Sequence, residues 1–168
     1  MNNLYISDKH RNGGGYVLRF LKVLRTAHTT KNKIIFLFCK LILKYYRTKY
    51  GLEIPPETSI GEGLYLGHAF NITINGHSVI GKNCNIHKGV LIGRENRGKR
   101  KGCPTLGDCV WVGTNAVIVG KVTIGDDVLI APNTYVNCDI PSHSIVFGNP
   151  CIIKQKDNAT EYYVNNRI

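Results

Sequence analysis

Through the second half of the chain, apolar residues recur every six positions. Leu106, Val112, Ile118, Ile124, Ile130 and Val136 keep this beat without a slip, and Gly107, Gly113 and Gly125 directly follow three of them. Four places after each of the first five anchors stands a small or apolar residue, namely Val110, Ala116, Val122, Val128 and Thr134. Amphipathic helices repeat near 3.6 residues and half-buried strands near 2, so neither accounts for the pattern. A six-residue repeat with glycine beside the anchor is that of a parallel β-helix, in which each hexapeptide gives one short strand and a turn.

The same beat runs upstream through Ile54, Ile60, Leu66 and Ile72, and again through Ile74, Ile80, Ile86 and Ile92. The frame slips by two residues between Ile72 and Ile74, and a loop over residues 93–105 interrupts the third coil. If three hexapeptides close one triangular coil, residues 54–140 supply between four and five coils. The fold predicted is an all-β solenoid with an N-terminal helical arm (residues 1–50), a β-helix domain (51–150) and a C-terminal tail (151–168) that caps the last coil. Such a solenoid buries its core along its axis, so both ends need covering.

The arm reads as a loosely attached lead over residues 1–15, followed by two helices. In the first, Tyr16 to Arg25, residues Arg19, Lys22 and Arg25 fall on one face. In the second, from about Lys33 to Lys49, Lys33, Lys40, Lys44 and Arg47 share a face while Ile34, Ile35, Leu37, Phe38, Leu41, Ile42 and Tyr45 fill the rest. Gly51 and Pro55-Pro56 end helix and begin coil. Two placements of the helices stay open: packing on the β-helix or a partner subunit, and lying in the surface of an anionic membrane. The apolar run Ile34 to Cys39 is far short of the ~20 residues a membrane span needs.

Charge sharpens this division. The chain carries +11, of which residues 1–53 hold eleven Lys/Arg against two acids and residues 94–101 hold five against one. The repeat body is therefore almost neutral. Six cysteines without a CxxC spacing, Cys84 among them at a small inward position, point to a reduced, cytoplasmic protein. The first fifteen residues lack the apolar block of a secretion signal.

The hexapeptide run, the spacing of Glu53 and His68, and the closing His143…Gly148-Asn149-Pro150 resemble the hexapeptide-repeat acyltransferases, most closely the serine acetyltransferase branch and its relatives in polysaccharide clusters. The resemblance implies a left-handed coil, a homotrimer that can pair into a hexamer, and acetyl-CoA bound between adjacent subunits. The left hand comes from the resemblance alone, since parallel crossovers are ordinarily right-handed. Members of the serine branch carry Asp-Ile-His-Pro and then Asp-His-Ala; this chain reads Glu53-Ile54-Pro55-Pro56 and Gly67-His68-Ala69. The resemblance makes His68 the general base and Glu53 the carboxylate that orients it. An imidazole suits a base working near neutral pH, and a carboxylate on its far nitrogen fixes the tautomer.

Three recognition groups of the serine branch are missing. The Asp before the base is Gly67, and the Arg-His pair ahead of the resumed repeat is Gly102-Cys103. A carboxylate-bearing acceptor is ordinarily held by a bidentate arginine. The expectation is therefore a neutral sugar hydroxyl of a surface polysaccharide or its lipid-linked precursor, reached with the basic arm on the inner membrane. Serine is the alternative, with Arg94 or Arg97 of the basic loop as a substitute clamp. That loop either grips an anion or is a solvated excursion.

Coil counting adds one residue pair. One coil on from His68, allowing for the slip, stands Lys88, with His87 beside it. An ammonium there favours the neutral imidazole that a base requires. For acetyl-CoA, the resemblance implies a wall made by Gly113, Thr114 and Asn115, by Ala131 and Pro132, and by Lys154 near the tail. Trp111 either faces the cleft or packs outward.

Three rival classes fit less well. A zinc site of His68, His77 and His87 fails because coil position puts His77 above Glu57, on another side. A non-catalytic scaffold leaves the Glu53/His68 spacing without a purpose. Nucleic-acid binding, the generic expectation for so basic a chain, lacks a recognition motif.

Overall fold

A computed structural model describes residues 3–168, and its repeat region is a left-handed β-helix of about five turns. The first turn comprises β1 (Leu52–Glu53), β2 (Ser59–Ile60) and β3 (Tyr65–Gly67). The second comprises β4 (Ile72–Ile74), β5 (Val79–Ile80) and β6 (Asn85–His87), and the third β7 (Leu91–Gly93), β8 (Thr105–Leu106) and β9 (Trp111–Val112). The fourth holds β10 (Val117–Val119), β11 (Thr123–Ile124) and β12 (Val128–Ile130). The fifth holds β13 (Tyr135–Val136), a bridge at Ile140, and β14 (Ser144–Phe147); β15 (Ile152–Gln155) then turns back. Each turn gives one strand to each of three parallel sheets, here called face 1 (from β1), face 2 (from β2) and face 3 (from β3).

The six-residue anchors point inward and stack on one another. Ile74 pairs with Ile92, Leu106 with Ile124 and Val112 with Ile130, eighteen residues apart, and all six are buried. Stacking of like side chains lets each turn bury the apolar surface of the next, which is how a chain with two-residue strands holds together. Cys84, Ala116 and Val128 fill the small inward positions. Burial pushes the Cys84 thiol up to about 12, in keeping with a filler rather than a reactive group. The corners need left-handed backbone, and asparagine, the residue that tolerates it best after glycine, supplies much of it. Asn71, Gly89, Asn115 and Asn133 occupy equivalent places on one corner with φ between 53° and 72°.

The two-residue slip has a definite location. Leu66 pairs with Ile86, twenty residues on, whereas Ile74 pairs with Ile92, so the extra residues lie in the corner between β3 and β4. That corner carries His68, which has a left-handed φ of 49° outside the regular pattern. The 94–104 excursion is the other irregularity; across it Ile80 pairs with Leu106 and Ile86 with Val112, twenty-six residues on.

The arm corrects one expectation. Residues 3–11 form a helix, α1 (Asn3–Arg11), tied to the first turn instead of trailing loosely from it. Asp8 is fully buried, and its carboxylate accepts hydrogen bonds from Arg25 at 2.7 Å and from the Leu64 N–H at 2.8 Å. Asn12 accepts from the Leu66 N–H and donates to the Leu64 carbonyl, while Arg25 donates to the carbonyls of Ile60 and Gly61. These side chains occupy backbone groups that a preceding turn would otherwise pair, so the arm closes the open edge of the solenoid. Arg25 is therefore an internal residue, not part of an exposed basic face.

The helices α2 (Tyr16–Thr29) and α3 (Lys33–Tyr50) pack on one another, with Tyr16 stacked on Tyr50 at 4.2 Å and Phe20 edge-on to Tyr46 at 5.4 Å. Asn32 caps α3 by accepting from the N–H groups of Ile34 and Ile35, and Gly51 ends it in left-handed backbone.

At the far end β15 pairs antiparallel with β14 and closes face 3. The remaining tail does not stay across the last coil. It first docks on Asp127, whose carboxylate accepts from the N–H groups of Ala159 and Thr160 and from the Thr160 hydroxyl. It then passes Trp111, which Tyr163 meets edge-on at 5.2 Å, and Asn85, which donates to the Tyr163 carbonyl. It ends beside α1, where Arg11 donates to the Asn165 carbonyl and Asn83 holds the backbone of Ile168.

Candidate active site

The corner between faces 3 and 1 gathers most of the residues singled out in the sequence. Gly67 pairs with His87, so His68 and Lys88 are successive rungs of this corner, as coil counting requires. The Lys88 N–H donates to the Gly67 carbonyl, the Asn115 N–H to Lys88, and the Asn133 N–H to Thr114, forming one backbone ladder. His68, Lys88, the turn 113–116 and the turn 131–134 thus stand in a column along a single edge. The side chains of His68 and Lys88 are both exposed.

The N–H groups of Gly113, Asn115, Ala131 and Asn133 are already used between coils. A thioester cofactor lying against this wall would therefore meet carbonyls, side chains and apolar surface more than free donors. Gly113 is required by packing, since a Cβ there would lie 2.7 Å from the Pro132 nitrogen. Lys154 stands at the far end of the same column, because Phe147 is the rung that follows Ala131. It sits on β15 at the end of face 3, with its ammonium 5.6 Å from the Phe147 ring centre.

Beneath the base, His87 lies flat over the bare backbone of Gly67. A Cβ at position 67 would come within 2.5 Å of the His87 ring. The His87 ring centre is 6.5 Å from that of His68 and 4.7 Å from that of Trp111, which faces outward into this aromatic column under Tyr163. Burial, and secondarily the charge His68 can carry, lower the His87 pKa and keep its imidazole neutral. Its Nε2 is buried without a hydrogen-bond partner among the described residues.

Glu53 departs from expectation. It projects from face 1, half exposed, and its nearest charge is Arg47 of α3 at 3.7 Å. No hydrogen bond or ion pair joins it to His68 among the described residues. It lines a groove of about 410 Å³ together with Thr73, Asn75, Leu91, Arg94 and Val119. Within one chain, then, Glu53 stands between α3, where it lines a second groove with Lys40, Lys44 and Arg47, and the basic loop.

That loop leaves from the opposite edge of face 1, the corner shared with face 2. It is a folded hairpin: Glu95 and Gly102 exchange backbone hydrogen bonds of 3.0 and 2.9 Å, and the Glu95 carboxylate accepts from the N–H groups of Asn96 and Arg97. Arg100 fastens it to the fifth turn by an ion pair with Asp139 at 3.1 Å. Arg94, Gly102 and Cys103 then line a cavity of about 440 Å³ with His77 and Lys121. It has no acidic side chain in its wall, and Arg94 and Lys121 form no ion pair among the described residues. Arg97 is exposed on the hairpin and outside the cavity. Lys121 was missed in the sequence because it sits a full turn from the loop it faces.

His77 is on this edge and His68 and His87 on the other, so the three histidines do not converge. Among the described residues no group of three His, Cys, Asp or Glu side chains gathers as a metal site.

Residues 104–138 match the family described as bacterial transferase hexapeptide (six repeats). The chain is 33% identical to a serine acetyltransferase of Helicobacter pylori (strain ATCC 700392 / 26695) over 133 residues, covering 79% of this chain and 78% of that one. Among solved structures it resembles the serine acetyltransferase of Brucella abortus strain S19, with TM-score 0.74 and 25% identity over 85% of this chain and 58% of that one. It also resembles isoform 3 from Entamoeba histolytica, solved in complex with cysteine, with TM-score 0.66 and 28% identity over 89% of this chain and 53% of that one. The chain thus spans little more than half the length of those solved chains.

Proposed function

We propose that this chain, which belongs to the serine acetyltransferase family of hexapeptide-repeat transferases, moves the acetyl group of acetyl-CoA onto the hydroxyl of a serine-like amino acid. The observation that carries this acceptor is the cationic cavity at Gly102 and Cys103. The two residues that hold a carboxylate in the serine branch are absent there, yet Arg94, Lys121 and His77 converge on the same place. An arginine that makes no ion pair among the described residues is well suited to a carboxylate. The expectation of a sugar hydroxyl rested on the missing Arg-His pair. This cavity, together with relatives named for serine, favours the alternative.

The chemistry follows from His68. As general base it takes the proton of the attacking hydroxyl while the oxygen adds to the thioester carbonyl. Collapse of the tetrahedral intermediate expels the CoA thiolate, which the His68 imidazolium can reprotonate. The site is exposed in one chain, and its halves lie on opposite edges of face 1. A homotrimer would set the His68 edge of one subunit against the Arg94 edge of the next, and there Glu53 would have the neighbour's imidazole within reach. Acetyl-CoA would run along the His68 edge, past Lys88 and the turns 113–116 and 131–134.

One observation favours a second acceptor class. His87 occupies the space over Gly67 where a carboxylate would otherwise meet an ammonium group, so a neutral polyol such as a sugar is the competing substrate. Thiol release from acetyl-CoA, measured with L-serine, L-serine methyl ester and simple and nucleotide sugars, separates the two. Turnover on serine and its loss on the ester are expected. Turnover on sugars alone overturns the amino-acid reading.

A further inference from the structure

The helix α3 has two apolar faces, and only one is used by the fold. Cys39, Leu43 and Tyr46 pack into the core. On the opposite side Ile34, Leu37, Phe38, Leu41 and Tyr45 are exposed by 81, 62, 64, 61 and 53%. Their spacing of three, one, three and four residues makes a continuous stripe along the helix. Monomeric surfaces seldom leave so large an apolar strip uncovered without a use. Beside it run Lys33, Lys40, Lys44 and Arg47, and no acidic residue occurs anywhere in α3. Among the described residues Arg47 is the one member of this row in an ion pair, the 3.7 Å contact with Glu53, although Glu53 and Glu57 line a groove with Lys40 and Lys44. At 18 residues the helix is about 27 Å long, and no helix among the described residues is long and apolar enough to cross a membrane.

We propose that α3 is an in-plane membrane anchor that lays its outer apolar stripe into an anionic lipid surface while the lysine row meets the headgroups. Charge decides the occupant. A second copy joined across a two-fold axis with its α3 antiparallel to this one would set one lysine row against another, since such an interface repeats the same patch on both sides. An anionic bilayer neutralises that row and takes up the apolar stripe in one step. The body behind the helix is nearly neutral, so attraction is concentrated at this face. The inference is independent of the acceptor, and its test does not read catalysis.

The test is flotation of the full chain with vesicles of phosphatidylcholine alone and with vesicles containing phosphatidylglycerol, at low and high salt. Binding to the anionic vesicles only, weakened by salt, is expected. Leu37→Ser/Phe38→Ser and Lys40→Glu/Lys44→Glu should each reduce it at least tenfold without lowering the melting temperature, because these side chains lie outside the core. No binding to anionic vesicles, or binding that survives both double variants, overturns the proposal. So does a fall in solution mass on Leu37→Ser/Phe38→Ser, which would mean that another copy covers the stripe.

Discussion

The two edges of face 1 solve different problems with the same backbone. The His68 edge is regular: three- and four-residue turns, asparagine or glycine at each left-handed place except His68, and one backbone bond from coil to coil. Its single irregularity is the two-residue slip, which lifts His68 out of register. The Arg94 edge is built around an eleven-residue excursion (94–104) held by side chains, with Arg100 clamped to Asp139 and Glu95 folding the hairpin. A regular edge suits a long cofactor, which needs repetition, whereas an irregular edge suits a small acceptor, which needs a shaped pocket. Because both edges belong to one flat face, a single chain cannot fold them together. On the proposed function the two edges meet only where a neighbouring copy brings them together.

Experiments can break that division of labour. His68→Asn should lower kcat by roughly 10²–10⁴-fold, the span usual for loss of a general base, and leave melting unchanged. If the opposite edge instead supplies the base, the variant will stay active. Arg94→Ala should raise KM for serine roughly 10- to 100-fold with little change in kcat, the size expected for one charge-assisted contact. Mixing these two variants under conditions that exchange subunits, and assaying at serine concentrations well below the raised KM, should then restore activity at about a quarter of the seams, since only there do two intact edges meet. No recovery would put both edges of a site on one chain.

A milder test concerns Gly102. Restoring arginine there should not improve serine binding, because its backbone φ is 142° and a Cβ would lie 3.0 Å from the Cβ of Lys121. Thermal and denaturant unfolding should instead show a loss of ~1–3 kcal/mol, as for other strained positions. The smallest effect expected is on acid stability. A histidine whose folded pKa is depressed gives stability that is present above its unfolded value near 6.5 and lost as pH falls below it. His87→Phe should therefore flatten the decline in melting temperature just below that pH. Asp127 keeps its own acid-side loss at lower pH: burial raises its pKa, but hydrogen bonds from Thr160, His143 and Ala159 outweigh this and hold it below the usual range.

The β-helix was legible because its signal is periodic and local. Leu106 through Val136 fix the rungs, and the slip at Ile72 and Ile74 locates the irregular corner that bears His68. Coil counting carried Lys88 to its place for the same reason. The arm was less legible, since α1 is held by polar groups: Asp8, Arg11 and Asn12 bond to backbone far along the chain, and no hydrophobic pattern announces such contacts. Arg25 looked like surface charge until its partner, seventeen residues earlier, was in view. The cavity at Arg94 was legible only in part, because Lys121 reaches it from the next turn and Gly102 reads as a deletion of function. Glu53 shows the limit of spacing as a guide. The fifteen-residue separation from His68 matches the resemblance, but where its carboxylate points depends on Arg47, a contact that spacing does not announce.

Stacked repeats ordinarily melt from their ends, since a terminal rung has one neighbour and an inner rung has two. Here the last thirteen residues run back along the outside and are fastened at Asp127 near one end and at Arg11 near the other, so neither end can fray without releasing this belt. The hoop so formed makes unfolding all-or-none in a shape that would otherwise unzip by stages. Cutting the chain after Gln155 should accordingly replace one sharp calorimetric peak by a broad, early one.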